Sequence, residues 1–183
     1  MDSFQSQLLV ATPQLPDSNF YRSVVLLIHH DSEGAFGVIL NRPSNFQLKE
    51  VWQMITKQNC EWEAPIYLGG PVESPLVALH EREDVAESEV LDGVFISSER
   101  EKLEQLFEGP DCNLKMFSGY SGWGPDQLEA EIETGSWFRS PATVEDVFSD
   151  SEELWEKVAG RIGQQIIFQG DHPDLEEFDP TLN

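Results

Sequence analysis

An apolar hairpin near the start of the chain constrains the fold most strongly. The run from Ser23 to Ile28 is β-branched and apolar on both faces, which is typical of a central strand in a sheet. A turn of Asp, Ser, Glu and Gly follows at 31–34, and a second strand is predicted from Ala35 to Leu40. The sequence therefore predicts an antiparallel hairpin at this point in the fold.

Strands and helices are mixed along the rest of the chain. Further strands are predicted over 8–11, 66–68, 76–79, 94–96, 114–117 and 137–138. Helices are predicted over 47–57, from a cap at Ser97 or Ser98 to Gly109, over 125–134, and as two short segments over 144–148 and 154–162. The strands come in pairs with helices between them, which favours a single α+β domain with a mixed sheet.

The first predicted helix has an amphipathic pattern. Its apolar residues follow the spacing i, i+3, i+4, i+7 and are Leu48, Val51, Trp52 and Ile55. This spacing places them in one stripe, which we expect to face the core. Ser44 or Asn45 is expected to cap the helix start, because both side chains accept hydrogen bonds from free backbone N–H groups.

The charge of the chain bears on its partners. The formal net charge is −23, from 34 acidic and 11 basic side chains. Residues 1–60 hold five acids and four bases, whereas residues 61–183 hold 29 acids and seven bases. Non-specific binding to nucleic acid or anionic lipid needs clustered Lys and Arg, so the charge argues against both. The helix predicted over 125–134 carries only acids among its charged residues, so it is no DNA-recognition helix.

Several features predict a cytoplasmic protein. Cys60 and Cys112 are the only cysteines, which fits reduced thiols and no zinc site of the CxxC type. The start of the chain lacks the basic segment of a secretory signal, and the longest apolar run is too short to span a bilayer. The final segment, 170–183, carries five acids and no base, and is expected to be a weakly ordered acidic tail after a domain over 1–169.

No metal site or catalytic set is predicted. The adjacent His29 and His30 end a strand and should point to opposite sides, while His80 is followed by Glu-Arg-Glu-Asp, which is not the HExxH pattern. His172 lies among tail acids that are expected to be solvated. Ser121 falls one glycine short of the GxSxG nucleophile motif, because Trp follows Gly122.

The segment 119–124 has three glycines between a predicted strand and a helix that Pro125 is expected to begin. Free N–H groups at a helix start attract anions, so an anion site is one interpretation. However, the spacing Gly-x-x-Gly-x-Gly differs from the phosphate-binding GxGxxG pattern, and Pro125 has no N–H to donate. A tight turn with Trp123 packed on the core is therefore favoured.

Three glutamates follow the glycine segment, at positions 129, 131 and 133. Glu129 and Glu133 share a helix face, where closeness would raise the pKa of one carboxyl and suit acid–base work. The favoured interpretation is instead a solvated outer face opposite Leu128 and Ile132.

Asn41 and Arg42 follow the predicted hairpin. An Arg at a strand end can bind a carboxylate or phosphate through two hydrogen bonds, so Arg42 is a candidate ligand-binding group. In so acidic a chain, an ion pair with a neighbouring carboxylate is the favoured alternative.

Five segments in chain order resemble the motifs of the AlgH/YqgE family, bacterial proteins often labelled transcriptional regulators. The segments are 11–20 (ATPQLPDSNF), 30–43 (HDSEGAFGVILNRP), 68–72 (LGGPV), 119–129 (GYSGWGPDQLE) and 135–137 (GSW). The resemblance covers about residues 8 to 168. It implies an α+β fold with a mixed sheet rolled into a partial barrel, a cytoplasmic location, no known cofactor and no catalytic residues. Asp126 stands where the family often has a second glycine, which weakens the anion interpretation.

Two functions remain open on the sequence. The first is a regulator that acts indirectly through contacts with a protein partner, without binding DNA and without enzymatic activity. The alternative is an enzyme or small-ligand (anion) binding protein, with a pocket where three turns are expected to converge. The ligand-binding residues of that pocket would be Asn41, Arg42, Gly69, Gly70, Gly119, Tyr120, Gly122, Trp123 and Gly124.

Overall fold

The computed structural model describes residues 3–15, 17–57, 62–149 and 153–169, with side chains up to residue 166. The predicted acidic tail, Cys60 and His172 lie outside the described residues. Within the described part of the chain, no helix is both long and apolar enough to cross a membrane.

The elements alternate along the chain much as the sequence predicts. The strands are β1 (Gln7–Ala11), β2 (Val24–Asp31), β3 (Gly34–Ile39), β4 (Pro43–Gln47), β5 (Pro65–Leu68), β6 (Val77–His80), β7 (Ser88–Leu91), β8 (Val94–Ser97), β9 (Leu114–Ser118), β10 (Ser121–Trp123) and β11 (Trp137–Pro141). The α-helices are α1 (Leu48–Thr56), α2 (Arg100–Glu108), α3 (Gln127–Glu133), α4 (Val144–Phe148) and α5 (Leu154–Gln169).

The strands form two sheets. Sheet A has the order β10-β3-β2-β1-β11 and is antiparallel throughout, with the predicted hairpin β2–β3 beside its centre. Sheet B has the order β4-β5-β9-β6-β8-β7 and is mixed, because β5 and β9 run parallel while the other pairs are antiparallel. The chain passes from sheet B to sheet A between β9 and β10.

Three apolar clusters hold the two sheets and their covering helices together. Alternate residues of β2 supply two of them: Val24, Leu26 and Ile28 pack towards sheet B, and Val25 and Leu27 pack on the other side. The cluster between the sheets also takes side chains from α4 and α5. Helix α3 covers the outer face of sheet A, and α1 and α2 cover the outer face of sheet B. A β2 strand that is apolar on both faces is therefore buried on both faces, as predicted.

The predicted fold class is confirmed as a mixed α+β domain with a mixed sheet. The described strands form two separate sheets and no closed barrel, so the description as a partial barrel fits only loosely. The chain builds β1 to β3 in sheet A and β4 to β9 in sheet B, and it returns to sheet A where β10 pairs with β3.

Both predicted helix caps are wrong. Ser44 and Asn45 lie inside β4, and α1 begins after Gln47. Ser97 ends β8 and is buried, and α2 begins later in the chain, after Glu99. Ile55 belongs to the predicted core stripe of α1 but is 58% exposed, since it lies at the end of the helix.

The glycine segment contains a strand that the sequence did not predict. Ser121 to Trp123 form β10, and α3 begins only after Asp126, which has a φ of 57°. Pro125 therefore lies in the turn before the helix, not at its first position. Trp123 is buried on the core of sheet A, as predicted.

Candidate functional site

A groove with two chambers opens beside the turn end of the β2–β3 hairpin. The first, called the polar chamber, has a volume of about 470 Å³, and the second, called the apolar chamber, about 320 Å³. The polar chamber is lined by His29, Asp31, Glu33, Gly34, Ala35, Phe36, Val72, Tyr120, Gly122 and Trp123. The apolar chamber is lined by Ile28, Phe36, Val38, Ser74, Val77, Ile96 and Tyr120.

Two aromatic rings separate the chambers and line both of them. The rings of Phe36 and Tyr120 lie edge to face, with their centroids 6.2 Å apart. The His29 imidazole stacks on Phe36 from the neighbouring strand at a centroid distance of 5.8 Å. Edge-to-face packing holds both rings in place while Phe36 remains 37% exposed.

Carboxylates form the rim of the polar chamber. Asp31 Oδ1 accepts the Glu33 backbone N–H at 2.8 Å, and Asp31 Oδ2 lies 2.8 Å from His29 Nε2. These hydrogen bonds, from the Glu33 backbone first and from His29 second, lower the pKa of the Asp31 carboxyl. Among the described residues that line the two chambers, none is Lys or Arg. The groove therefore presents negative charge beside exposed rings.

The position of Tyr120 is set by a tight crossing of two backbone segments. A Cβ on Gly69 would lie 2.2 Å from the Gly119 carbonyl oxygen, and a Cβ on Gly70 would lie 2.2 Å from the Tyr120 carbonyl carbon and oxygen. Ser121 Oγ donates to the Gly69 carbonyl at 3.0 Å across the same crossing. These predicted site glycines thus bring the strand end of β5 against the chain that leads into β10.

Gly122 and Gly124 have different surroundings. Gly122 lies in β10 and lines the polar chamber, whereas the Gly124 N–H donates to Gln127 Oε1 at 3.0 Å. That hydrogen bond uses one of the donors that an anion would need. Helix α3 has only seven residues and carries Asp126 at its start, so the geometry is poor for holding an anion.

Asn41 and Arg42 lie in a separate depression of about 240 Å³, beside Tyr21, Trp155 and Glu156. Asn41 Oδ1 accepts the Val24 N–H at 2.9 Å, and the Arg42 guanidinium donates to the carbonyls of Asn19 and Tyr21. Arg42 thus holds a turn through backbone oxygens, and the predicted pairing with a carboxylate is not what the structure shows. Partial burial lowers the pKa of its guanidinium.

The structure therefore brings together some predicted site residues and not others. Tyr120, Gly122 and Trp123 lie in the groove, and Gly69, Gly70 and Gly119 form the crossing that supports it. Asn41 and Arg42 line a different depression. Ligand binding by the nine residues stays a prediction.

The sequence did not single out the residues that shape the groove most. Phe36, His29 and Asp31 belong to the predicted hairpin, and Val77 and Ile96 to other predicted strands. Strand alternation offers one signal, because Phe36 falls between buried positions of β3 and so must point outward.

Glu129 does not lie on the solvated face that the sequence predicts. Glu129 Oε1 lies 2.8 Å from Nε2 of His30, whose side chain is 1% exposed. His30 Nδ1 accepts the Phe4 backbone N–H at 2.9 Å, so Nε2 carries the proton and donates to the carboxylate. His29 and His30 do point to opposite sides, as expected.

Glu131 is also engaged with the core. Its Oε2 accepts from Trp123 Nε1 at 3.0 Å and from Trp137 Nε1 at 2.8 Å, and its Oε1 accepts from Gln127 Nε2 at 2.9 Å. The carboxylate thereby satisfies two buried indole N–H groups. Only Glu133 of the three glutamates is a plainly exposed residue.

A buried Ser–His pair outside the groove is structural. His80 Nε2 lies 3.0 Å from Ser97 Oγ, but the Ser97 hydroxyl donates to the Val85 carbonyl at 2.9 Å. Because its proton is committed to a carbonyl and the pair is buried, this serine is not activated as a nucleophile. Among the described residues, no three His, Cys, Asp or Glu side chains are grouped to hold a metal ion.

Comparison with known proteins gives consistent matches over nearly the whole chain. A protein family described as AlgH-like matches residues 8–167. A UPF0301 protein of Chlorobium limicola is 36% identical over 184 residues, covering 97% of this chain and 94% of that protein. A UPF0301 protein of Myxococcus xanthus is 39% identical over 168 residues, covering 89% and 93%.

Two solved structures share the fold. The solution structure of the AlgH protein from Pseudomonas aeruginosa aligns with a TM-score of 0.74 at 27% identity, covering 92% of this chain and 94% of that one. The crystal structure of a protein from Corynebacterium diphtheriae aligns with a TM-score of 0.69 at 28% identity, covering 88% of each chain.

Proposed function

We propose that this chain, which belongs to the AlgH-like family, is a cytoplasmic regulatory protein that works by binding a protein partner. Any effect on transcription would then be indirect. The observation that carries the proposal is the groove, a concave surface with two partly exposed aromatic rings and a carboxylate rim. Aromatic side chains in such positions are common anchors at protein interfaces.

The ion pairs of the structure support a role without direct nucleic-acid binding. At least six of the eleven Lys and Arg side chains bond to carboxylates: Arg22, Lys49, Arg82, Arg100, Lys157 and Arg161. A base that is already paired with a carboxylate contributes little to a phosphate-binding surface, which needs free positive charge.

Site-specific photo-crosslinking in cells tests the proposal. We place p-benzoylphenylalanine at Phe36 in the groove and, as a control, at Phe138, which is 44% exposed on the opposite edge strand of sheet A. The expected result is a discrete protein adduct from position 36 and none of the same mass from position 138. Equal adducts from both positions, or no adduct from position 36, would contradict the proposal.

A direct binding measurement tests the nucleic-acid part of the proposal. We expect no change in the anisotropy of labelled duplex DNA mixed with the full chain at about 50 mM salt, where phosphate contacts are strong. Saturable binding that weakens as salt is added would overturn this part and leave the crosslinking result to be judged separately.

A small-ligand binding protein is the second candidate, because the volume of the polar chamber favours it. Ligand pockets commonly measure about 300–1,000 Å³, and the polar chamber measures about 470 Å³. The carboxylates at its rim favour a neutral or cationic ligand over an anion, the ligand class that the sequence left open as an alternative. Mass spectrometry of the protein purified from cells would show a small molecule that is retained by the natural chain and lost on Phe36→Ala.

A further inference from the structure

We infer that the groove binds an extended peptide segment that carries a Lys or Arg and an apolar side chain on the same face. This inference rests on the proposed function, since it names the chemistry of the protein partner. It follows from the different linings of the two chambers and from the rings between them.

The polar chamber has the chemistry of a site for an organic cation. The Glu33 carboxylate makes no hydrogen bond or ion pair with the described residues, so it is free to meet a positive charge. Asp31, whose Oδ2 lies 2.8 Å from His29 Nε2, adds a second carboxylate, and the rings of Phe36 and Tyr120 line the same chamber. A chain with a net charge of −23 also attracts basic segments over longer distances.

The apolar chamber has the chemistry of a site for an aliphatic or aromatic side chain. Ile28, Val38, Val77 and Ile96 form its walls together with the two rings. Ser74, one of its two hydroxyl side chains, already donates to the Pro75 carbonyl at 2.9 Å, and the other belongs to Tyr120. A charged side chain would lose its hydration in this chamber and meet no side chain of opposite charge in its lining, so an apolar group gains more from entering.

The two chambers adjoin, which suits an extended segment. Phe36 and Tyr120 line both chambers, and side chains i and i+2 on one face of a strand are about 7 Å apart. An extended segment can therefore place an apolar residue on one side of the rings and a cation on the other. β10, which lines the groove, is an edge strand of sheet A, and edge strands accept extended peptides.

Fluorescence anisotropy with a designed peptide tests the inference. The probe is a fluorescein-labelled peptide in which Leu and Lys alternate at every second position, with Ser between them. We expect saturable binding to the full chain, and loss of binding when Glu replaces every Lys or Ser replaces every Leu. Equal binding of the Glu peptide would overturn the cation assignment, and equal binding of the Ser peptide would overturn the apolar one.

Matched variants locate the binding. Asp31→Asn with Glu33→Gln is expected to weaken binding of the Leu–Lys peptide about tenfold, whereas Glu101→Gln with Glu108→Gln, on the outer face of α2, removes the same charge and leaves binding unchanged. Phe36→Ala, a change at a partly exposed residue, is expected to weaken binding as well. Equal losses from the groove pair and the α2 pair would overturn the assignment to the groove.

The two proposals fail in different ways. If the natural chain does not bind the Leu–Lys peptide but position 36 still crosslinks to a protein, the peptide chemistry is wrong and the adaptor function stands. If neither the peptide nor the crosslink is observed, both proposals are wrong. Crosslinking to a protein whose binding is competed by the Leu–Lys peptide supports both.

Discussion

His80 is held as a neutral imidazole in the interior of the protein. Its Nδ1 accepts the Arg82 backbone N–H at 3.2 Å, and its Nε2 donates to Ser97 Oγ. Burial is the main reason why the pKa of His80 falls to about 4 from its ordinary value of 6.5, and the charge of Arg82 lowers it further. The His80 imidazole is therefore harder to protonate in the folded chain than in the unfolded chain.

This difference predicts a loss of stability in mild acid. Between about pH 6.5 and pH 4 the unfolded chain binds a proton that the folded chain does not, so the free energy of unfolding falls as pH is lowered. The free energy of unfolding has its full value above pH 6.5, where His80 is neutral in both the folded and the unfolded chain. It falls by on the order of 3 kcal/mol as the pH is lowered through 4. Urea unfolding of the natural chain and of His80→Gln measures it: the stability advantage of the natural chain should shrink from pH 7 to pH 4.5. Parallel pH profiles would contradict the assignment.

Glu131 is predicted to matter to stability far more than its neighbour Glu133. Glu131→Gln weakens the acceptor of two buried indole N–H groups, so we expect a loss of about 1–3 kcal/mol in the free energy of unfolding. Glu133→Gln changes an exposed residue of the same helix and should cost less than about 0.5 kcal/mol. Urea denaturation followed by tryptophan fluorescence compares them, and equal losses would show that the indole contacts contribute little.

The crossing between the end of β5 and the entry to β10 joins the two sheets. Gly69 N–H donates to the Ser118 carbonyl and the Gly69 carbonyl accepts the Ile39 N–H, each at 2.9 Å. Gly119 has a φ of 77°, a conformation that favours glycine, and a Cβ there would lie 2.8 Å from the Gly70 carbonyl oxygen. The glycines of these motifs thus have a structural explanation in close backbone packing.

Gly69→Ala is predicted to destabilise the protein by about 1–3 kcal/mol or more, because its Cβ would lie 2.2 Å from a backbone oxygen that cannot rotate away. Gly160→Ala is the matched control: a Cβ at this exposed position of helix α5 meets nothing within 4 Å, and alanine should stabilise a helix by about 0.5–1 kcal/mol. Thermal unfolding should give midpoint changes of opposite sign. A tolerated Gly69→Ala would show that the crossing is looser than the distances indicate.

Element prediction succeeded where the local pattern was strong. The hairpin β2–β3 and helix α1 follow from β-branched runs and helical spacing, which do not depend on distant residues. The strands β4, β7 and β10 were not predicted, and all three lie at sheet edges. A strand at a sheet edge pairs with a neighbouring strand on one side only. Its residues are therefore less constrained, and their alternation of apolar and polar side chains is weak.

The excess of acidic residues acts on the whole molecule. With 34 acids and 11 bases, the folded chain concentrates like charges that are farther apart when it unfolds. The exposed ion pairs offset little of this repulsion, since each contributes about 0–1 kcal/mol.

We therefore expect added salt to stabilise the fold. Raising NaCl from about 20 mM to 500 mM shortens the range of charge repulsion to a few ångström, and the midpoint of thermal unfolding should rise. Choline chloride at equal ionic strength is the control, and a similar rise identifies screening as the cause. A midpoint that falls with salt would mean that the ion pairs outweigh the repulsion.

The sequence by itself determined the fold class, the central hairpin, the burial of Trp123 and the charge that limits the partners. Each of these depends on residue type or on neighbours within a few positions. Only the tertiary structure decided that Glu129 meets His30 across 99 positions, that Arg42 bonds to carbonyls, and that Phe36 and Tyr120 divide a groove. Such contacts join residues that are far apart in the sequence, and local periodicity carries no information about which distant segments meet.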